Sequence, residues 1–190
     1  LNLKKKIILV NYYPEISNKN KTQRRLNNIF KAIKYFGNFI FVFTLPSHDK
    51  DNDFLIKRIL KMKKTTKNLF VFKSLGQKKY YSLMKYSSLM IGNSSSGILE
   101  MPSFNKFTLN IGDRQKGRLF SKSVIQTSSN TDIIKKNIIK YIEKKTNTKN
   151  IYFKKNTYEM IIKILKMIKK QKNNNLKEFI DLWKNGKKQY

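Results

Sequence analysis

Short apolar runs alternate with longer stretches of helical periodicity along most of the chain. Runs rich in Ile, Val, Leu and Phe, bounded by Gly, Pro, Asn or Ser, predict buried strands. They occupy residues 6–12, 39–45, 69–72, 89–91, 107–111 and 124–127. Apolar residues three or four positions apart predict helices at 18–36, 51–64, 77–86, 96–104, 131–145 and 158–170.

Regular alternation of strand and helix with short connections predicts an α/β fold. Its expected architecture is a Rossmann-like parallel sheet with helices on both faces. A chain of 190 residues is long enough for one sizeable core. We therefore predict one domain over residues 1–170. Residues 171–190 are mostly polar, with Phe179, Ile180 and Trp183 as their main apolar anchors, and we predict a C-terminal tail or helix there.

The charge balance is strongly basic. Forty-two Lys and Arg against 11 Asp and Glu give a net charge of +31, which alone would favour nucleic acid or an anionic membrane surface as a partner. The excess is mostly Lys, however, and it accompanies many Asn, Ile, Phe and Tyr, as AT-rich codons produce. An RNA-binding surface typically places arginines and exposed aromatic residues at regular spacings, and the sequence shows no such pattern. We expect no nucleic-acid partner, and keep a basic nucleic-acid-binding protein as an alternative.

Residue types also limit the chemistry. The chain has no Cys, which excludes disulfides, thiolate catalysis and zinc-thiolate sites. The single histidine, His48, argues against a histidine-built metal site and is expected to be an exposed loop residue. We predict neither a metal nor a cofactor. Apolar stretches are shorter than a membrane span or a signal-peptide core, so we expect no membrane and a cytoplasmic location.

One segment carries the strongest chemical signal. Gly92-Asn93-Ser94-Ser95-Ser96-Gly97 follows a buried strand and opens a predicted helix. In a parallel sheet this places the turn at the carboxyl ends of the strands, where ligands bind. Glycines allow close backbone approach, and helix N–H groups and serine hydroxyls can donate to a phosphate. Glu100, one turn later, could accept hydrogen bonds from a ribose diol. The alternative is that the serines cap a helix.

A second segment follows the next predicted strand. It runs from Asn110 to Arg118 and includes Asp113 and Arg114. Because it leaves the sheet at the same edge, its two arginines can face the same phosphates, and guanidinium forks suit a diphosphate. The alternative is a solvated basic loop. We expect Asp113 to be ionised and paired rather than available as a base.

At these two segments the sequence resembles the hydrolysing UDP-N-acetylglucosamine 2-epimerases. The similarity rests on residues 92–102 and 110–118, and weaker matches lie at residues 13–14, 43–49, 74–76 and 80–83. It covers about residues 7–170. The resemblance implies the C-terminal domain of a GT-B-type fold, two Rossmann-like halves facing across a cleft, of which this chain matches one.

The resemblance also implies roles for individual residues. Ser94, Ser95 and Arg114 would hold the diphosphate, Glu100 the ribose, and Tyr13 would lie at the phosphate-contacting position. Weaker candidates are Gly92, Asn93, Ser96, Gly97 and Arg118. The family reaction eliminates UDP across C1 and C2 of the sugar, and water then adds to leave the free 2-epimer. Its proton-transfer acids belong to the N-terminal half, so the catalytic residues are not assigned here. The intact enzyme would be a homo-oligomer.

Two positions depart from the family pattern. Tyr13 stands where the family has histidine, and tyrosine cannot carry a positive charge. The family's glycine-bearing turn before the last helix corresponds to residues 152–156, which contain no glycine, so we expect the family backbone to be disfavoured there. Two further alternatives stay open: a non-catalytic UDP-sugar-binding remnant and a glycosyltransferase C-terminal domain. The acetamido sugar is likewise open between N-acetylglucosamine and a diacetamido analogue.

Overall fold

A parallel sheet forms the centre of the computed structural model, which describes residues 5–15, 19–46 and 52–170. Within those ranges every strand coincides with a predicted apolar run. The strands are β1 (Ile7–Asn11), β2 (Ile40–Thr44), β3 (Leu69–Phe72), β4 (Leu89–Gly92), β5 (Phe107–Ile111) and β6 (Val124–Thr127). All neighbours pair in parallel, in the order β3-β2-β1-β4-β5-β6. The predicted α/β class is confirmed.

Helices cover the two faces of this sheet. They are α1 (Lys19–Tyr35), α2 (Asp53–Lys64), α3 (Gly76–Tyr86), α4 (Ser96–Leu99) and α5 (Thr131–Tyr141). Buried side chains of α1, α2 and α5 share one apolar cluster with Ile8 and Val10 of β1. Leu9, which points to the opposite face, packs in a second cluster with residues from α3 and the segment after α4. The alternation along β1 follows the two-residue period of a strand.

The predicted helix over residues 96–104 is wrong in part. Here α4 lasts four residues, and a 3₁₀ helix then runs over Met101–Phe104. Pro102 explains the break, because its nitrogen has no hydrogen to donate to the preceding turn. The long helix dipole that the sequence argument placed at the serine turn is therefore absent. Similarly, α5 ends at Tyr141 rather than at residue 145, and the chain continues with Ile142 and then three charged residues up to Lys145.

Contacts divide the chain into two compact units, Leu1–Phe153 and Lys154–Tyr190. The second unit contains α6 (Thr157–Lys170), which agrees with the predicted last helix. Asn156, just before α6, has φ 58°. Asparagine tolerates this left-handed conformation better than most residues, and the expectation about the family backbone at 152–156 stays a prediction. The tail at 171–190 and His48 lie outside the described residues, and the domain boundary at 170 stays a prediction.

Among the helices of the described ranges, none combines the length and apolar character needed to cross a lipid bilayer.

The backbones of β1 and β4 approach each other closely at Gly92. Gly92 has φ 140°, and a Cβ there would overlap the backbone of Asn11. We predict that Gly92→Ala lowers the free energy of unfolding by about 3 kcal/mol, since it combines backbone strain with a clash against a buried strand. Urea denaturation of the two proteins measures the difference.

Gly37→Ala is the matched control, because no atom lies within 4 Å of a Cβ built on Gly37. It should change the free energy of unfolding by no more than about 0.5 kcal/mol. Equal stability of the Gly92 and Gly37 variants would contradict the tight β1–β4 junction.

Candidate functional site

Three loops meet at the carboxyl edge of the sheet, where the strand order reverses. The chain moves outward from β1 to β2 and β3, then returns to place β4 on the other side of β1. Such a switch point leaves a crevice between the loops that follow the two central strands. Tyr13 follows β1 and Ser94 follows β4, so the candidate residues flank this crevice. The loop after β5, with Arg114, adds the third side.

The serine turn after β4 is partly enclosed. Ser94 is buried, whereas Ser95 and Ser96 are half-buried. Ser94 Oγ accepts the Ser96 N–H at 3.3 Å, but Ser95, the N-cap of α4, makes no capping bond through its side chain. Capping therefore accounts for Ser94 and leaves the Ser95 hydroxyl available in the crevice, while the Ser96 side chain hydrogen-bonds with Tyr80.

Gly97 serves packing rather than ligand approach in this arrangement. It is buried, and its carbonyl accepts a hydrogen bond from Thr108 Oγ1 at 2.8 Å. A Cβ on Gly97 would lie 2.6 Å from Thr108 Cγ2. The glycine thus lets α4 lie directly against β5.

Asn93 connects all three loops. It is fully buried, and its Oδ1 accepts the Tyr13 N–H at 2.7 Å while its Nδ2 donates to the Tyr13 carbonyl at 2.9 Å. Its own carbonyl accepts hydrogen bonds from Arg114 Nη1 at 3.2 Å and Gln115 Nε2 at 2.7 Å. Both polar groups of the side chain are therefore engaged within the protein.

Arg114 lies over the crevice on the ring of Tyr13. Its guanidinium carbon is 4.8 Å from the ring centroid, and the side chain is otherwise exposed. Arg118 is also exposed, and its backbone N–H donates to the Gln115 carbonyl at 3.2 Å. Of the two arginines that the sequence placed at this edge, the structure brings Arg114 to the serine turn through Asn93.

Glu100 lies one turn beyond the serines and is half-buried. Its Oε1 accepts a hydrogen bond from Tyr81 Oη at 3.3 Å. Tyr81 in turn packs against Phe104, with ring centroids 6.1 Å apart. The carboxylate is thus oriented by α3 and the 3₁₀ helix, and it keeps further acceptor capacity, since an ionised carboxylate has about four lone-pair sites.

A partly buried ion-pair network ties the loop after β1 to the loop after β5. Arg25 of α1 donates from Nη1 to Glu15 at 2.5 Å and from Nη2 to Asp113 at 2.8 Å. The Glu15 and Arg25 side chains are only 8% and 10% exposed. Asp113 also pairs with Lys21 at 3.0 Å, and its N–H donates to Glu15 Oε1.

The network shifts the pKa of two of its members, Asp113 and Arg25. Hydrogen bonds from Arg25 and then Lys21 lower the pKa of Asp113 to about 2. Burial alone would lower the pKa of Arg25, but its bonds to Asp113 and Glu15 outweigh burial and raise it. Asp113 is therefore ionised and paired, as expected, although its partners come from α1 rather than from its own loop.

A cavity of about 320 Å³ adjoins the crevice. Asn11 lies beneath it, where its Nδ2 donates to Thr44 Oγ1 and its Oδ1 accepts from Tyr80 Oη at 3.2 Å. Burial raises the pKa of Tyr80, so its hydroxyl stays protonated near neutral pH. The remaining wall consists of Tyr13, Leu45, Ser96 and residues 73–77.

Sequence reasoning missed Asn11, Gln115 and Arg25. Asn11 did carry a signal, since it is a polar residue ending an apolar strand at the switch point. Arg25 carried none, because it lies among exposed cations of α1 and its burial depends on partners far along the chain.

The fold and the site together define a Rossmann-like domain equivalent to the C-terminal domain of a GT-B-type fold, with its loops converging at the switch point. The family model described as UDP-N-acetylglucosamine 2-epimerase matches residues 2–166. The chain belongs to this family. The family resemblance found in the two loop segments is thereby confirmed.

Two curated relatives are similar to this chain. Polysialic acid biosynthesis protein P7 from Escherichia coli is 32% identical over 186 residues, covering 95% of this chain and 47% of the relative. GDP/UDP-N,N'-diacetylbacillosamine 2-epimerase (hydrolyzing) from Campylobacter jejuni is 39% identical over 132 residues, covering 68% of this chain and 34% of the relative. The chain therefore spans less than half the length of either protein.

A solved structure agrees with the fold. The UDP-GlcNAc 2-epimerase of Methanocaldococcus jannaschii, in complex with UDP-GlcNAc and UDP, superposes with a TM-score of 0.68 at 18% identity. The match covers 86% of this chain and 45% of that one.

The ion-pair network predicts a large difference between two adjacent arginines. Arg25→Met should lower the free energy of unfolding by about 3 kcal/mol, because it leaves the buried Glu15 carboxylate without its cation. Arg24→Met removes the same charge from an exposed position of the same helix and should change it by about 0.5 kcal/mol or less. Urea denaturation measures both. Similar losses in the two variants would show that Arg25 is not held in a buried pair.

Proposed function

We propose that this chain is the nucleotide-binding half of a hydrolysing UDP-N-acetylglucosamine 2-epimerase. Family membership and the hydrolysing relative from C. jejuni support the class of reaction. The observation that carries the proposal is the meeting of the serine turn and Arg114 at the switch point, where Arg114 donates to the carbonyl of Asn93. A phosphate donor set and a nucleoside-sized cavity then lie side by side.

The diphosphate of a UDP-sugar would bind between Arg114 and the serine turn. The Ser95 hydroxyl can donate to its oxygens. The Ser96 side chain, which hydrogen-bonds with Tyr80, lines the adjoining cavity, and Ser94 shapes the turn from within. Arg114 supplies the positive charge, because guanidinium forms strong charge-assisted bonds to phosphate. Arg118 would contribute weakly, from its exposed position. This arrangement needs no metal ion.

The nucleoside would extend into the adjoining cavity. Its volume of about 320 Å³ is in the range of small-ligand pockets. Ser96 lines it, so a ligand can pass from the serine turn into the cavity without leaving the site. Glu100, oriented by Tyr81, would accept hydrogen bonds from the ribose hydroxyls.

The sugar chemistry would need acids from another half-molecule. In the reaction that the family resemblance implies, a base removes the proton from C2 of the sugar, UDP leaves from C1, and water adds to the resulting glycal. The three carboxylates described around this site are all engaged otherwise. Glu15 pairs with the buried Arg25. Glu100 is assigned to the ribose, and Asp113 is held ionised by Arg25 and Lys21 with a pKa of about 2.

Two alternatives differ in what they predict. A non-catalytic remnant would bind UDP but stay inactive even when an N-terminal half is supplied, whereas a half-enzyme would regain activity. A basic nucleic-acid-binding protein would bind random RNA with a steep dependence on salt. Three further predictions stand: the intact enzyme is a homo-oligomer, an N-terminal half is its partner, and its location is cytoplasmic. The substrate stays open between UDP-N-acetylglucosamine and a diacetamido analogue.

Arg114→Ala tests the diphosphate site. We expect it to weaken UDP binding by about 1.5–3 kcal/mol, the range for a hydrogen bond to a charged group. Arg118→Ala makes the same charge change in the same loop and should have the smaller effect. Isothermal titration calorimetry with UDP compares the three proteins. Equal UDP affinity in wild type and Arg114→Ala would remove Arg114 from the site.

The purified chain should not turn over UDP-N-acetylglucosamine, because the described site lacks a free acid–base group. Incubation with substrate, followed by NMR detection of UDP and N-acetylmannosamine, is the direct measurement. UDP binding by the same sample is the control that the protein is folded. Sustained turnover by this chain alone would contradict the half-enzyme proposal.

A further inference from the structure

Arg114 has little to hold it in place apart from Tyr13 and Asn93. It is an exposed side chain on a loop, and one hydrogen bond of 3.2 Å to the Asn93 carbonyl anchors Nη1. Its guanidinium carbon lies over the Tyr13 ring, 4.8 Å from the centroid. A cation over an aromatic face is attracted by the negative potential of the ring. The ring therefore restricts where the guanidinium group can point.

Tyr13 is itself held firmly. The amide of Asn93 engages both backbone groups of Tyr13, accepting its N–H and donating to its carbonyl. Because Asn93 is fully buried, these bonds are shielded from water. Two residues further on, the Glu15 carboxylate is fixed by Arg25. The backbone that carries the Tyr13 ring is thus held by the buried Asn93 and, two residues further on, by the Arg25–Glu15 pair.

We propose that Tyr13 is a positioning residue that holds Arg114 for the diphosphate through the face of its ring. This inference rests on the proposed function, and it gives Tyr13 a role other than the direct phosphate contact that the family resemblance implies. It also explains how tyrosine can stand where the family resemblance implies histidine. The negative face of a phenol ring attracts the Arg114 cation, and the ring never carries a positive charge. An imidazolium ion in the same place would repel Arg114.

Two substitutions separate the ring from the hydroxyl. Tyr13→Leu removes the aromatic face and should weaken UDP binding about two- to fivefold, the range for an exposed cation–π contact. Tyr13→Phe keeps the face and should restore the affinity that Tyr13→Leu loses. If Tyr13→Phe weakens binding as much as Tyr13→Leu, the hydroxyl contacts the ligand and the proposal is overturned.

A double-variant comparison tests whether the ring acts through Arg114. In an Arg114→Ala background, Tyr13→Leu should cause no further loss of UDP affinity, because the group that it positions is gone. An equal loss in both backgrounds would overturn the proposal, since a purely structural effect of Tyr13 would not depend on Arg114.

NMR of the free protein provides a readout that does not require UDP. The Arg114 side-chain protons should show an upfield ring-current shift that is retained in Tyr13→Phe and lost in Tyr13→Leu. Absence of this shift in wild type would overturn the inference by itself. A wild-type protein that shows the shift but does not bind UDP would instead contradict the proposed function.

Discussion

The arrangement of the site depends on one buried amide. Asn93 leaves β4 at the point where the strand order reverses, and its side chain and carbonyl contact both neighbouring loops. An amide suits this place because it accepts and donates at once, and so pairs with both backbone groups of Tyr13. Without it, a buried N–H and a buried carbonyl would lack partners, which costs about 1–3 kcal/mol for each group.

Scarce carboxylates reinforce the same junction. The chain has only 11 Asp and Glu, yet Glu15 and Asp113 both pair with Arg25. These ion pairs join α1 to the loops after β1 and β5. Gly112 lies so close to the Glu15 and Arg25 side chains that only glycine fits there. The consequence for chemistry is direct. A carboxylate held ionised by two cations orders the site but cannot exchange protons near neutral pH.

Much of the fold could be predicted from the sequence, because hydrophobic periodicity is local. β3, β5 and β6 begin and end where the apolar runs do, and α1 buries Leu26 and Ile29 as the spacing indicates. The continuous helix over 96–104 failed because Pro102 breaks it. The segment 152–156 has no glycine, and the sequence did not indicate that Asn156 would take a positive φ there.

The candidate site was predictable in its location but not in its internal contacts. Gly92 and the serines mark the turn, and two arginines mark the neighbouring loop. Asn93 and Tyr13, which hydrogen-bond to each other, are 80 positions apart in the chain. Arg25 and Asp113, which form an ion pair, are 88 positions apart. No local pattern reports such pairs. The role of Tyr13 likewise depends on its ring orientation, which only the fold determines.

The central claim is that UDP binds at the switch point between β1 and β4. A ¹⁵N-resolved NMR titration with UDP tests this most directly. The account predicts the largest shift changes at the backbone amides of 92–97 and 113–115, with saturation. A competing basic cavity of about 390 Å³ lies between α1 and α2, lined by Arg24, Lys31, Lys34 and Arg58. Shift changes confined to that cavity, with the serine turn unaffected, would contradict the account.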